Sequence, residues 1–151
     1  MSPESEQPVL FAYDGSDNAK AAIDQAGRLL RQGSSALVLT VWQPLDSVPF
    51  FGGVISPAIS KEVVDAAQAE AERIAAEGAQ LASAAGFEAK PITREGTPIW
   101  NCIVEAADQH QAAVVVMGSH GRSGLSYAAM GSVATSVAHH MKRPVLVTRI
   151  A

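Results

Sequence analysis

Glycine recurs at Gly118, Gly121 and Gly131, Ser132 follows the last of them, and His120 and Arg122 sit beside the second. Residues without a β-carbon let main-chain N–H groups turn inward and approach a ligand closely. Ser132 also opens a segment in which Val133, Val137 and Met141 are four apart, a helical spacing. A helix N-terminus adds partial positive charge and unspent donors, so the stretch reads as a cradle for phosphate. Two residues separate the first pair of glycines and nine precede the third. That is neither the Walker pattern, which needs a lysine after a glycine, nor the dinucleotide pattern with two glycines spaced by one residue.

Side chains in the loop add to the cradle. Arg122 can neutralise phosphate, a charge-assisted hydrogen bond being worth roughly 1.5–3 kcal/mol, although a solvated loop arginine is the plainer reading. His120 has no orienting partner in the sequence and is not read as a general base. A second acidic element lies far upstream, where Asp14 ends an apolar run and precedes Gly15-Ser16. It can cap the following helix, but Ser16 is available for that, and an aspartate at a strand end suits a ribose hydroxyl or a metal held between protein and phosphate.

The elements that would position these residues follow from short apolar runs. Val9–Tyr13, Ala36–Trp42, Phe87–Ile92, Val114–Met117 and Pro144–Arg149 are strand-length, and the β-branched ones suit burial on both faces. Pro91 places the third run towards an edge. Helical spacing separates them: Ile23, Ala26 and Leu30, with an Asp24–Arg28 pair and Gly33 as a stop; a stripe of Val64, Ala67, Ala71, Ile74, Gly78, Leu81 and Ala85; and Ile99, Ile103 and Ala107 after Thr97 as cap, with Trp100 and Cys102 off that face. Residues 43–60 form a long irregular piece carrying Phe50, Phe51, Val54 and Ile55, which read as a folded-down loop, a lid or a partner contact. Strands separated by helices, with no hairpin signal, predict an open parallel α/β sheet with a ligand at the C-terminal strand ends.

Composition narrows the classes. At 151 residues one domain spanning 1–151 is expected, and the 48% apolar share is that of a globular protein. A formal net charge of -4 argues against nucleic-acid binding, so a polyanion must be held by local donors. Cys102 is the sole cysteine, which excludes an internal disulfide and a cysteine zinc cluster. The start Met1–Gln7 is polar and acidic, unlike a secretion signal, and no apolar run approaches membrane-spanning length; a cytoplasmic location is expected. His139 and His140 are adjacent and point about 100° apart on a helix, so they read as charge near a helix C-terminus.

The spacing of Gly118, Gly121, Gly131 and Ser132, with the strands that flank it, resembles the nucleotide-binding signature of the universal stress protein family in its ATP-binding branch. The resemblance implies a five-stranded parallel sheet of order 3-2-1-4-5, Rossmann-like and similar to adenine-nucleotide α-hydrolases, with helices on both faces. It implies ATP as ligand, with magnesium held mainly by the phosphates and by Asp14 at most. Ala12 and Asp14 would lie along the ribose and adenine side, and Val41 would offer backbone groups to the base. Phosphates would lie along Gly118, Ser119, His120, Gly121, Arg122 and Ser123 on the near side and Gly131, Ser132 and Val133 on the far side. No catalytic residue is assigned. Ala134 stands where the family commonly has a hydroxyl residue. Family members pair as homodimers, and the apolar edge Val145–Val147 fits that role. The function implied is a nucleotide-dependent stress-response regulator. The alternatives are a weak ATPase or phosphotransferase, which needs a group positioning the attacking atom, and a nucleotide-free dimeric scaffold, which predicts disrupted glycines.

Overall fold

The computed structural model describes residues 6–43, 61–120 and 130–150. Strands β1 (Val9–Ala12), β2 (Ser35–Trp42), β3 (Glu88–Glu95), β4 (Val114–Gly118) and β5 (Val145–Thr148) alternate with helices α1 (Asp17–Leu29), α2 (Lys61–Ala84), α3 (Ile99–Gln109) and α4 (Ser132–His140). The strands form one parallel sheet of order β3-β2-β1-β4-β5. Successive residues of β1 enter opposite cores: Phe11 joins Ile23, Val38, Ile74 and Val116 on the α1/α2 side, and Leu10 joins Leu39, Ile103, Val115 and Val137 on the α3/α4 side. That two-sided burial is why the central runs are continuously apolar.

Local signals set most of the boundaries. The Ser16 hydroxyl caps α1 by accepting the Ala19 N–H at 3.2 Å. Gly33, at φ 81, turns the chain back so that its N–H reaches the Gly86 carbonyl at 2.8 Å. Asp24 and Arg28 pair at 3.1 Å on the exposed face of α1. At the outer edge of the sheet, β3 tolerates Pro91 and runs on to Glu95, further than its apolar run.

Three expectations are corrected. The buried stripe of α2 is Ala71, Ile74, Ala75, Gly78, Ala79 and Ala82, while Leu81 is 38% exposed. The helix is rotated so that its smallest residues face the sheet, because Gly78 abuts the side chains of Tyr13 and Val38. Thr97 does not cap α3; Pro98 takes the cap position without a side-chain bond, and its carbonyl accepts the N–H groups of Asn101 and Cys102. Cys102 lies on the buried face of α3, not off it, and burial pushes its thiol pKa up.

The α2 contact yields a stability prediction. A methyl group on Gly78 would stand 2.6 Å from Tyr13 Cδ1 and 2.7 Å from Val38 Cγ1. Helix propensity favours alanine by about 1 kcal/mol, but overpacking between two buried side chains costs about 1–3 kcal/mol. Gly78→Ala is expected to lower the urea midpoint.

The Tyr13 hydroxyl emerges on the same face and donates to Glu77 Oε1 at 2.6 Å. Lys20 and Arg73 lie 3.7 and 3.8 Å from the same carboxylate. Chiefly through the tyrosine hydrogen bond, and against the opposing effect of burial, the Glu77 carboxyl is held below its ordinary value of 4.5. A lowered folded pKa stabilises the fold above the unfolded value, and that stabilisation is lost as pH falls through the folded one. The gap in urea midpoint between wild type and Glu77→Gln should therefore be constant at neutral pH and shrink below about pH 4.5.

Candidate functional site

Connections leave β1 towards β2 on one side and β4 towards β5 on the other, so the sheet order reverses between β1 and β4. Such a reversal leaves a crevice at the C-terminal strand ends. A cavity of about 340 Å³ opens there, within the range of ligand sites. One wall is apolar, from Leu39 and Val41 of β2, Ile99 and Ile103 of α3, and Met117. The opposite wall comes from the end of β4 and the start of α4, with Gly118, Ser119, His120, Gly131, Ser132 and Val133. Ala12, the last residue of β1, and Asp14, two residues beyond it, close it.

Asp14 is held in place by its neighbours. The Tyr13 N–H donates to the Leu39 carbonyl at 2.9 Å, and the Tyr13 carbonyl accepts from the Thr40 hydroxyl at 2.9 Å. Asp14 Oδ1 accepts the Ser16 N–H at 2.9 Å. The carboxylate therefore shapes the turn into α1 but is not the helix cap, and Oδ2 has no protein partner among the described residues. Among these residues no group of three or more His, Cys, Asp or Glu side chains could enclose a metal. One carboxylate is what a magnesium ion needs if it takes its other ligands from phosphate and water.

Gly118 and Gly131 act through space rather than through φ. Gly118 lies against the first turn of α1, where a β-carbon would come 2.9 Å from Asn18 Cβ and from its backbone carbon. Gly131 is extended, at φ -62 and ψ 159, and a β-carbon there would stand 3.1 Å from the Ser119 carbonyl. That carbonyl accepts the Gly131 N–H at 2.7 Å, and the Ser119 N–H is spent on the Thr148 carbonyl at 2.9 Å. Gly131 and Ser119 thus shape the cradle without lending it their amides. Ser132 is the first helical residue and Gly131 the cap, so the amides of Ser132, Val133 and Ala134, which have no backbone partner among the described residues, are the open donors. The Ser119 hydroxyl, on a residue 2% exposed, lies 3.0 Å from His120 Nδ1. His120 Nε2 is buried without a partner among the described residues.

The structure brings Ala12, Asp14, Val41, Gly118, Ser119, His120, Gly131, Ser132 and Val133 to one cavity. Gly121, Arg122 and Ser123, and residues 44–60 with Phe50, Phe51, Val54 and Ile55, lie outside the described residues. Sequence reasoning did not place Tyr13, Ala19, Leu39, Ile99, Ile103 or Met117 at the site. The available signal was that Leu39 shares a strand face with Val41. Nothing in the apolar pattern of α3 distinguishes a cavity wall from core.

Residues 6–149 match the sequence model of the universal stress protein family. The chain belongs to that family. A universal stress protein of Mycolicibacterium smegmatis is 31% identical over 147 residues, which is 97% of this chain but 47% of the relative, so the chain spans about half of that protein's length. One from Mycobacterium tuberculosis is 27% identical over 92% of this chain and 93% of its own. Among solved structures, a universal stress protein in complex with cAMP superposes with a TM-score of 0.65 at 26% identity, covering 97% of this chain and 98% of that one. The universal stress protein of Archaeoglobus fulgidus in complex with dAMP shares the fold, with a TM-score of 0.60 at 22% identity over 93% and 96% of the two chains. This member of the universal stress protein family carries helices on both faces of its parallel sheet. Among its described residues no helix is long and apolar enough to cross a membrane.

Proposed function

We propose that this chain, as one domain over residues 1–151, binds adenine nucleotide in the cavity between β1 and β4, with ATP as the ligand, and acts as a nucleotide-dependent regulator of a cytoplasmic stress response. The observation that carries the reading is the continuity of one cavity from an apolar wall that suits a base, past Asp14, to the open amides of Ser132 and Val133. The base would lie against Leu39, Val41, Ile99 and Ile103, and the ribose beside Ala12 and Asp14. The phosphates would run along Gly118, Ser119 and His120 towards Ser132 and Val133, with Gly121, Arg122 and Ser123 contributing from the loop. Magnesium would be held mainly by the phosphates, with Asp14 its one protein carboxylate. Support for adenine comes from the two related proteins solved with cAMP and dAMP. Charge-assisted contacts of roughly 1.5–3 kcal/mol each, set against an association cost of roughly 4–15 kcal/mol, place the expected affinity on the order of micromolar.

The test is to purify the protein without added ligand, denature it and identify what is released by mass spectrometry. Adenine nucleotide at a substantial fraction of the protein concentration is expected. A protein that releases none, and that binds none when ATP and magnesium are titrated in, contradicts the proposal.

The same reading includes a homodimer through β5. Val145, Leu146 and Val147 are half-buried on the last strand of the sheet, whose outer edge has no partner among the described residues. A second β5 pairing across a two-fold axis would cover that edge. Wild type is expected to sediment at twice the chain mass and Val147→Lys at the chain mass.

A further inference from the structure

α3 supplies Ile99 and Ile103 to the apolar wall of the cavity, and its first turn rests on the α3/α4 core through Ile99 and Trp100. Pro98 caps it without a side-chain bond, and Ile99 and Trp100 are only half-buried. Beside the aliphatic packing of Val133 and Val137, an aromatic contact reaches across from α4. Trp100 and His140 stack with ring centroids 4.1 Å apart and planes 20° from parallel. The imidazole is itself fixed. Its Nδ1 lies 2.8 Å from the Ser136 carbonyl, which only accepts, so Nδ1–H donates there. The ring of His139 meets it edge-on at 4.9 Å. The last turn of α4 therefore presents an oriented ring to the first turn of α3, while the first turn of α4 carries Ser132, Val133 and Ala134 into the cavity. His140 is exposed while Trp100 is half-buried against the α3/α4 core, so the stack lies at the surface end of the α3–α4 seam.

We propose that Trp100 and His140 are a positioning pair: their stack holds the first turn of α3 on α4, fixes where Ile99 and Ile103 stand on the apolar wall, and so sets affinity for the base of the bound nucleotide. The inference rests on the adenine-nucleotide reading of the cavity. Offset-stacked aromatic pairs are worth enough to change an equilibrium about two- to twelvefold. Because the pair acts through the wall that receives the base, adenosine and ATP should lose affinity by the same factor.

The experiment compares His140→Ala with His140→Phe, which keeps a stacking ring and gives up the bond to Ser136. Both are made in a Trp42→Phe background so that Trp100 is the emitter. His140→Ala should red-shift Trp100 emission and weaken adenosine and ATP alike by about three- to tenfold. His140→Phe should restore both affinities to within about twofold of the background protein. A merely structural role would lower the melting temperature of His140→Ala but leave affinity unchanged at temperatures where it is fully folded. The proposal is overturned if His140→Ala shifts the emission yet binds adenosine as tightly as the background protein, if His140→Phe is as weak as His140→Ala, or if ATP weakens and adenosine does not. A wild-type protein that binds neither ligand removes the nucleotide reading and this inference together, whereas intact binding insensitive to His140 removes this inference alone.

Discussion

Replacing Gly118 by alanine is expected to lower the stability of the fold by about 1–3 kcal/mol, read as a fall in urea midpoint at unchanged slope. The added methyl group would sit 2.9 Å from the Asn18 backbone carbon and 3.0 Å from its carbonyl oxygen. Those are main-chain atoms in the first turn of α1, so no rotamer change relieves the contact and the helix must move off the sheet. Gly118 has no positive φ, so the penalty is steric and not conformational. Displacing the start of α1 also shifts Ala19, which lines the cavity, and the Asp14–Ser16 turn that orients the carboxylate. Nucleotide affinity should therefore fall together with stability. A midpoint equal to wild type would mean that the close approach of α1 to β4 is not rigid.

The second large effect separates binding from folding. Asp14→Asn keeps an oxygen to accept the Ser16 N–H, so the turn into α1 should survive and the urea midpoint should stay within about 0.5 kcal/mol of wild type. The charge that would meet a ribose hydroxyl or a phosphate-bound cation is lost. A charge-assisted hydrogen bond of roughly 1.5–3 kcal/mol corresponds to a roughly 10- to 150-fold weaker Kd for ATP with magnesium, measured by calorimetric titration. Asp14→Ala loses the turn contact as well and should show both effects. Wild-type affinity in Asp14→Asn would remove the carboxylate from the site.

The elements were legible because the strands are short apolar runs buried on two faces, a pattern that Val9, Leu37 and Val114 carry without help from tertiary context. The α1 cap was legible because Ser16 is a hydroxyl residue in the turn that follows the first apolar run, three residues before the first buried helix residue, Ala19. Elsewhere local rules were overridden. In α2 four of the six buried residues are alanine, so hydrophobicity carries little phase information, and packing of Gly78 against Tyr13 sets the rotation. The polar end of β3, from Thr93 to Glu95, pairs with β2 through its backbone and so leaves no apolar trace.

The cavity divides in the same way. Its polar wall, Asp14 with Gly131 and Ser132, shows in residue type and spacing, although Gly131 serves close approach and does not lend its own amide. Its apolar wall was invisible as a site, because Leu39, Ile99 and Ile103 are residues that a packed core would use equally well. Charge follows the same logic: a net charge of -4 leaves local amides to hold an anion, and the open donors are those at the start of α4.

The most direct measurement is a crystal structure of the protein grown with ATP and magnesium. The account predicts the base between the side chains of Leu39, Ile99 and Ile103, the ribose beside Asp14, and a phosphate oxygen within hydrogen-bond distance of the Ser132 or Val133 amide. Nucleotide bound at another surface, or a cavity that stays closed to it at saturating concentration, would contradict the account.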